Sequence, residues 1–168
     1  MRKAILVFFC FIILGCNANK DIIDRGSLSQ EEQIMDLTQK IILEKNTDKV
    51  KELFNTSFIQ PTNEFKEFVA TNSILFEKIS ISADKNKDTY YQIGLDLKSS
   101  IHLDHDIFVK SIGDNLLVTE IPSNPDNTFA SKESIKINKN TYVLISVNQE
   151  KNEINDIIIR HYASDFKE

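Results

Sequence analysis

From residue 29 onward, apolar positions first recur at helical spacing and then switch to alternation. Ser29 and Glu32 form a Ser-x-x-Glu capping pattern ahead of a stripe of Ile34, Leu37 and Ile41, which predicts a helix over 29–45. Asn46-Thr47-Asp48 breaks that helix and caps a second, whose face carries Val50, Leu53, Phe54 and Phe58. Pro61-Thr62-Asn63 is a further break, and Phe65, Phe68, Val69 and Phe76 extend the same spacing into a third helix ending between 71 and 77. The period then changes. Ile79 and Ile81 alternate with serines, and Tyr91, Ile93, Leu95 and Leu97 alternate with polar neighbours, the pattern of half-buried strands. Ile101, Leu103, Ile107 and Val109 share one parity and predict another strand. More follow at 116–121, 134–137, 142–148 and 154–162, with 122–132 read as an exposed loop.

Three N-terminal helices followed by five or six antiparallel strands is an α+β order, with the helices packed on a curved sheet. That order is similar to NTF2-like and cystatin-like domains, in which helices pack on a bent antiparallel sheet. The likeness is one of arrangement and rests on no motif residue.

The first residues follow a different logic. Arg2 and Lys3 precede an unbroken apolar run over 4–14, and polar residues begin at Asn17. The run lies within the ~7–15 residues of a secretory h-region and below the ~20 that span a bilayer. Ile13-Leu14-Gly15-Cys16 resembles a lipobox, the cleavage motif of bacterial lipoproteins. The resemblance implies removal of residues 1–15, a diacylglycerol on the Cys16 thiol, and acylation (palmitate or a similar chain) of the new amino terminus. Leu14 stands where that motif more often has a smaller residue. Two or more acyl chains hold a protein stably on a membrane. The expected organisation is therefore a signal peptide at 1–15, a lipidated tether at 16–28 and one domain at 29–168. The expected location is the cell envelope. Asn17 in place of an aspartate favours the outer membrane if the cell has two membranes.

Composition then narrows the function. Cys10 leaves with the signal and Cys16 carries lipid, so none of the chain's two cysteines remains for thiol, disulfide or thiolate-metal chemistry. Without Arg2 and Lys3, 18 basic residues face 25 acidic ones, a net charge of −7. Such acidity argues against nucleic acid as a partner. Four glycines, one of them Gly15, leave no phosphate-binding loop, and no Gly-x-Ser-x-Gly occurs. No cofactor is implied.

The best chemical candidate is His102-Leu103-Asp104-His105-Asp106. On a strand, His102, Asp104 and Asp106 would share one face as metal ligands, with His105 opposite. His161 shares parity with Ile157 and Ile159, which directs it to the core side as a neutral, hydrogen-bonded ring. Phe54, Phe58, Phe65, Phe68 and Phe76 read as core. Phe108 and Phe129 read as exposed, Phe108 by strand parity and Phe129 by its place in the loop, and are candidates for partner contact.

The reading that follows is a non-enzymatic, membrane-anchored module that binds another protein. Two alternatives stand beside it. One is a carrier of an apolar ligand or lipid in a pocket lined by Phe65, Phe68 and Tyr91, and the other is a metal-dependent hydrolase. The anchor makes a direct prediction. In the bacterial host, Cys16→Ala loses the acyl mass and moves from the detergent phase to the aqueous phase on partitioning, read by intact-mass spectrometry.

Overall fold

The computed structural model describes residues 28–61, 66–113, 116–117 and 130–162. The expected signal peptide and lipobox with Cys16, and Phe65 and Phe129, lie outside the described residues. The described elements are α1 (Gln30–Leu43), α2 (Thr47–Leu53), β1 (Lys66–Ala70), β2 (Phe76–Ala83), β3 (Tyr90–Leu97), α3 (His105–Ile112), β4 (Leu116–Leu117), β5 (Ala130–Asn138), β6 (Thr141–Asn148) and β7 (Glu153–His161).

The chain is α+β with an antiparallel sheet, and the sheet has seven strands, one of them the two-residue β4. Strand order is β1-β2-β3-β7-β6-β5-β4. Two meanders, β1-β2-β3 and β4-β5-β6-β7, are thus joined by the pairing of β3 with β7. The segment containing α3 carries the chain from the centre of the sheet to its far edge.

Local chemistry explains the first two helices. Ser29 accepts from the Glu32 N–H at 3.2 Å while the Glu32 carboxylate accepts from the Ser29 N–H at 2.8 Å, the reciprocal capping box. Asn46 accepts from the Asp48 and Lys49 N–H groups, starting α2. Ile34, Leu37, Ile41 and Val50 belong to the same buried cluster as Ile79, Ile81, Ile93, Leu95, Val143, Ile145, Ile157 and Ile159 of the sheet.

Two expected elements are different in kind. Residues 66–70 form a strand where a third N-terminal helix was expected, and β2, expected around Ile79 and Ile81, begins already at Phe76. Phe68, Val69 and Phe76 fit helical spacing, but Phe68 pairs with Ile81 and Ala70 with Ile79. Val69 also exchanges both backbone hydrogen bonds with Ile59, at 2.9 and 2.8 Å. Aromatic and β-branched residues favour such pleated positions, and long-range pairing overrides a four-position helical match. The Ser73 hydroxyl accepts from the N–H groups of Leu75 and Phe76 and sets the turn into β2.

The third helix instead occupies part of the stretch expected to be a strand. Asp104 caps it, its Oδ1 accepting from the Ile107 N–H at 2.9 Å. Leu103 and Phe108, both fully buried, occupy the two positions of a hydrophobic staple around that cap. Gly113 ends the helix with φ 155°, donating to the Val109 carbonyl. Phe108 is therefore core rather than an exposed contact residue, because the local period is 3.6 and not 2.

A smaller correction concerns β3. Ala83 pairs with Tyr90 and Ser82 with Gln92, so Tyr91 is the extra residue of a bulge and faces solvent. Tyr90 takes the buried position in its place.

These assignments predict distinct losses in urea unfolding. Phe108→Ala should cost about 3–5 kcal/mol as a buried aromatic, and Asp104→Ala about 1 kcal/mol as a lost helix cap. A Phe108→Ala protein of unchanged stability would return that ring to the surface.

Candidate functional site

The structure separates the residues that a strand would have aligned. His102 is exposed, and its Nδ1 lies 2.7 Å from Glu153 Oε1 at the start of β7. Asp104 is spent on the α3 cap, and its own N–H donates to Glu31 Oε1 of α1 at 3.3 Å. Asp106 is exposed on the first turn of α3 and approaches His105 Nδ1 at 2.9 Å. His105, expected on the opposite face, is the better-enclosed ring, and its Nε2 lies 2.7 Å from Glu133 Oε2 of β5. Its two nitrogens thus address two carboxylates on opposite sides of the ring, which ties α3 to the sheet and directs neither pair at a common ion. Among the described residues, no three His, Cys, Asp or Glu side chains form a group able to hold a metal.

His161 lies at the other end of β7, eight residues and roughly 26 Å from Glu153 at strand spacing. Its Nδ1 is 3.0 Å from Thr141 Oγ1 and its Nε2 is 2.8 Å from the Tyr90 hydroxyl. That hydroxyl is also 2.6 Å from the Ile41 carbonyl and 2.8 Å from the Glu44 carbonyl. One assignment satisfies every group. Tyr90 shares its one O–H between the Ile41 and Glu44 carbonyls at the end of α1, His161 Nε2–H donates to the phenol oxygen, and Thr141 donates to Nδ1. This is the neutral ring expected from parity.

The electrostatics of the two rings are opposite. Burial disfavours charge on His105, but the hydrogen bonds and charges of Glu133 and Asp106 outweigh it and raise its pKa above 6.5. For His161, burial, with a smaller contribution from Lys45, lowers the pKa below 6.5. Burial and the charge of Glu44 raise the Tyr90 phenol, so it stays a donor.

The pocket imagined for an apolar ligand does not gather its expected lining. Phe68 lies on the core face of β1, with Lys51 Nζ 4.1 Å above its ring. Tyr91 stands outside, in an open groove shared with Lys66, Glu67, Ser82, Asp84 and Lys85.

The remaining surface with organised side chains is the sheet face opposite the helices, and no single motif announces it. Antiparallel register sorts it into three rows running across the strands. One row reads Glu67, Ser82, Gln92, Arg160, Tyr142, Lys136. The next reads Val69, Ser80, Gly94, Ile158, Leu144, Ser134, and the third Lys78, Asp96, Asp156, Ser146, Lys132. Gly94 keeps the centre low, since a Cβ there would come within 2.8 Å of Ser80 Oγ. In the third row Asp96 and Asp156 are direct cross-strand partners, and burial, then the charge of Asp156, raises the Asp96 pKa. Sequence reasoning marked the outward parity of these strands as wet, but row composition depends on a register that spans five loops.

Comparison with protein-family models, with curated proteins and with solved structures gives no match. No helix among the described residues is long and apolar enough to cross a membrane.

The histidines generate a prediction about pH. The neutral His161 contributes stability that is complete above pH 6.5 and is lost as pH falls from there toward its lowered folded value. The charged His105 contributes stability that is complete below pH 6.5 and is lost as pH rises through its raised folded value. In urea midpoints taken from pH 5 to 8, His161→Gln should flatten the acid limb and His105→Gln the alkaline limb. An exchange of those effects, or none, would refute the assignment.

Proposed function

We propose that the chain is an envelope lipoprotein, held on the membrane by acyl chains on Cys16, whose domain acts as a non-enzymatic module that binds another protein. The observation that carries the anchor is the run from Arg2 through the apolar 4–14 segment to Gly15-Cys16. The binding reading rests on the sheet face, where charged, aromatic and apolar side chains are laid out in register. The described histidines, by contrast, have both ring nitrogens engaged (His105, His161) or sit on an exposed surface pair (His102). An outer-membrane position belongs to the same proposal, for a cell with two membranes. So does the likeness in arrangement to NTF2-like and cystatin-like domains, supported by the polar ties that Tyr90 and His105 make between helices and sheet.

The test is a cross-linked pull-down from native envelopes with the lipidated chain tagged after Glu168. The expected outcome is one protein recovered in stoichiometric amount and absent when Cys16→Ala removes the chain from the membrane. Recovery of no protein, with a small molecule found by native mass spectrometry, would replace the module with a carrier.

A further inference from the structure

Arg160 is the one arginine among the described residues, and it sits on the central strand β7, one residue from its end, on a strongly acidic domain. Its Nε donates to Gln92 Oε1 at 2.8 Å, a bond that fixes the plane of the guanidinium. No described carboxylate pairs with it. The acid of its own row, Glu67, lies three strands away, roughly 14 Å at ordinary strand spacing. Asp156 is four residues along the same strand, roughly 13 Å off. Several lysines of this domain behave differently: Lys40, Lys49, Lys51, Lys66 and Lys87 each meet an Asp or Glu within 4 Å.

The neighbours of Arg160 sharpen its chemistry. Tyr142 is its cross-strand partner, and the Tyr162 ring stands edge-on to it at 5.4 Å. Lys136 Nζ lies 5.8 Å from the Tyr142 ring centre on the far side of the row. Tyr162 is 44% exposed, while Arg160 and Tyr142 are half-buried. Ile158 and Leu144 continue the surface as an apolar strip one row down. A guanidinium held in plane with no acid partner among the described residues, two tyrosines and a second cation beside an apolar strip form the composition of a binding hot spot.

We propose that this Arg160–Tyr142–Lys136 row is the docking surface for an acidic segment of a protein partner. The two terminal nitrogens of Arg160 take a carboxylate, Tyr142 and Tyr162 form the wall beside it, and Ile158 and Leu144 receive the apolar neighbour. The proposal rests on the protein-binding reading and names its surface. Charge complementarity chooses the occupant. A domain of net charge −7 repels anions at long range, so an acidic partner is held where cations cluster with no described acid among them.

The probe is a fluorescein-labelled hexaglutamate peptide, titrated by anisotropy against the full lipidated chain in non-ionic detergent, with hexaglutamine as comparator. Hexaglutamate should bind and hexaglutamine should not. Arg160→Gln should weaken binding about tenfold or more, the scale of a lost charged hydrogen bond. Arg160→Lys should recover only part, because an ammonium lacks the planar fork. Tyr142→Leu should weaken it severalfold, and Lys151→Gln, which removes one charge from the β6–β7 turn, should leave it unchanged. Unchanged far-ultraviolet circular dichroism and melting temperature qualify each variant.

Equal binding by the wild type and Arg160→Gln would overturn the proposal. So would Arg160-dependent binding to phosphatidylglycerol vesicles without binding to hexaglutamate, which would make the site a lipid contact. The two readings separate in the pull-down. A partner retained by Arg160→Gln keeps the module and overturns this surface. Arg160-dependent hexaglutamate binding with an empty wild-type pull-down supports the anion site and overturns the stable partner.

Discussion

Between Gln92 and Asp96 on β3, and Asp156 and Arg160 on β7, two parts of the chain more than fifty residues apart form the centre of the sheet. Closing a loop of that length costs conformational entropy that local contacts cannot offset. The return comes from the core face, where Ile93 meets Ile159 and Leu95 meets Ile157, all four fully buried. Full burial of each such side chain contributes about 1.5–3 kcal/mol. Everything distinctive about the molecule is a consequence of this one pairing. It sets Tyr90 against His161 on one face, and Gln92 against Arg160 and Asp96 against Asp156 on the other. A one-residue slip would send each of these to the wrong side of the sheet.

Helices are held to the core face by apolar contact, and two polar ties fix their position. At one end of β7, Tyr90 and His161 secure the end of α1 through its last carbonyls, which no helical N–H can satisfy. Toward the other, His105 joins the start of α3 to Glu133 on β5. An imidazolium at a helix N-terminus is disfavoured by the helix dipole, so His105 depends on its two carboxylates for its charge. No described carboxylate bonds to His161, and burial, with a smaller contribution from Lys45, holds it neutral between Tyr90 and Thr141. The same residue type therefore serves in opposite charge states, and the neighbours supplied by the fold decide which.

The sequence was legible where one signal dominated. The Ser29–Glu32 capping box and the Ile34-Leu37-Ile41 stripe marked α1, and the alternation of Val143, Ile145 and Val147 marked β6. It misled where a few apolar residues fitted both periods. Phe65, Phe68, Val69 and Phe76 match a helix on paper, yet the pairing of Val69 with Ile59 and of Phe68 with Ile81 requires a strand. Around residue 104 the error ran the other way. Asp104 is a good helix cap, but alternation of Leu103, Ile107 and Val109 obscured it, and the metal-like face of His102, Asp104 and Asp106 followed from that mistaken period. Arg160 was hidden for a different reason. Nothing local distinguishes it, and its surroundings exist only once β3, β7, β6 and β5 are in register.

Placing a strongly acidic domain at a membrane surface has a physical implication for where it can bind. Under the proposed anchoring, anionic headgroups would repel it, and the tether would hold the domain near the bilayer without electrostatic adhesion. What remains attractive is local and short-ranged, because salt screens charges beyond about 8–10 Å. Within that distance of Arg160 lie Gln92, Tyr142 and the apolar Ile158, while the carboxylates of Asp156 and Glu67 are farther off by strand spacing. The long-range field and the local chemistry of the face thus have opposite signs. A partner drawn in only by overall charge would be basic and would settle almost anywhere on this domain. Under the proposed docking at Arg160, a partner with a carboxylate is disfavoured by the overall field and favoured where cations gather on this face, so the acidity that weakens its approach would also narrow where it docks.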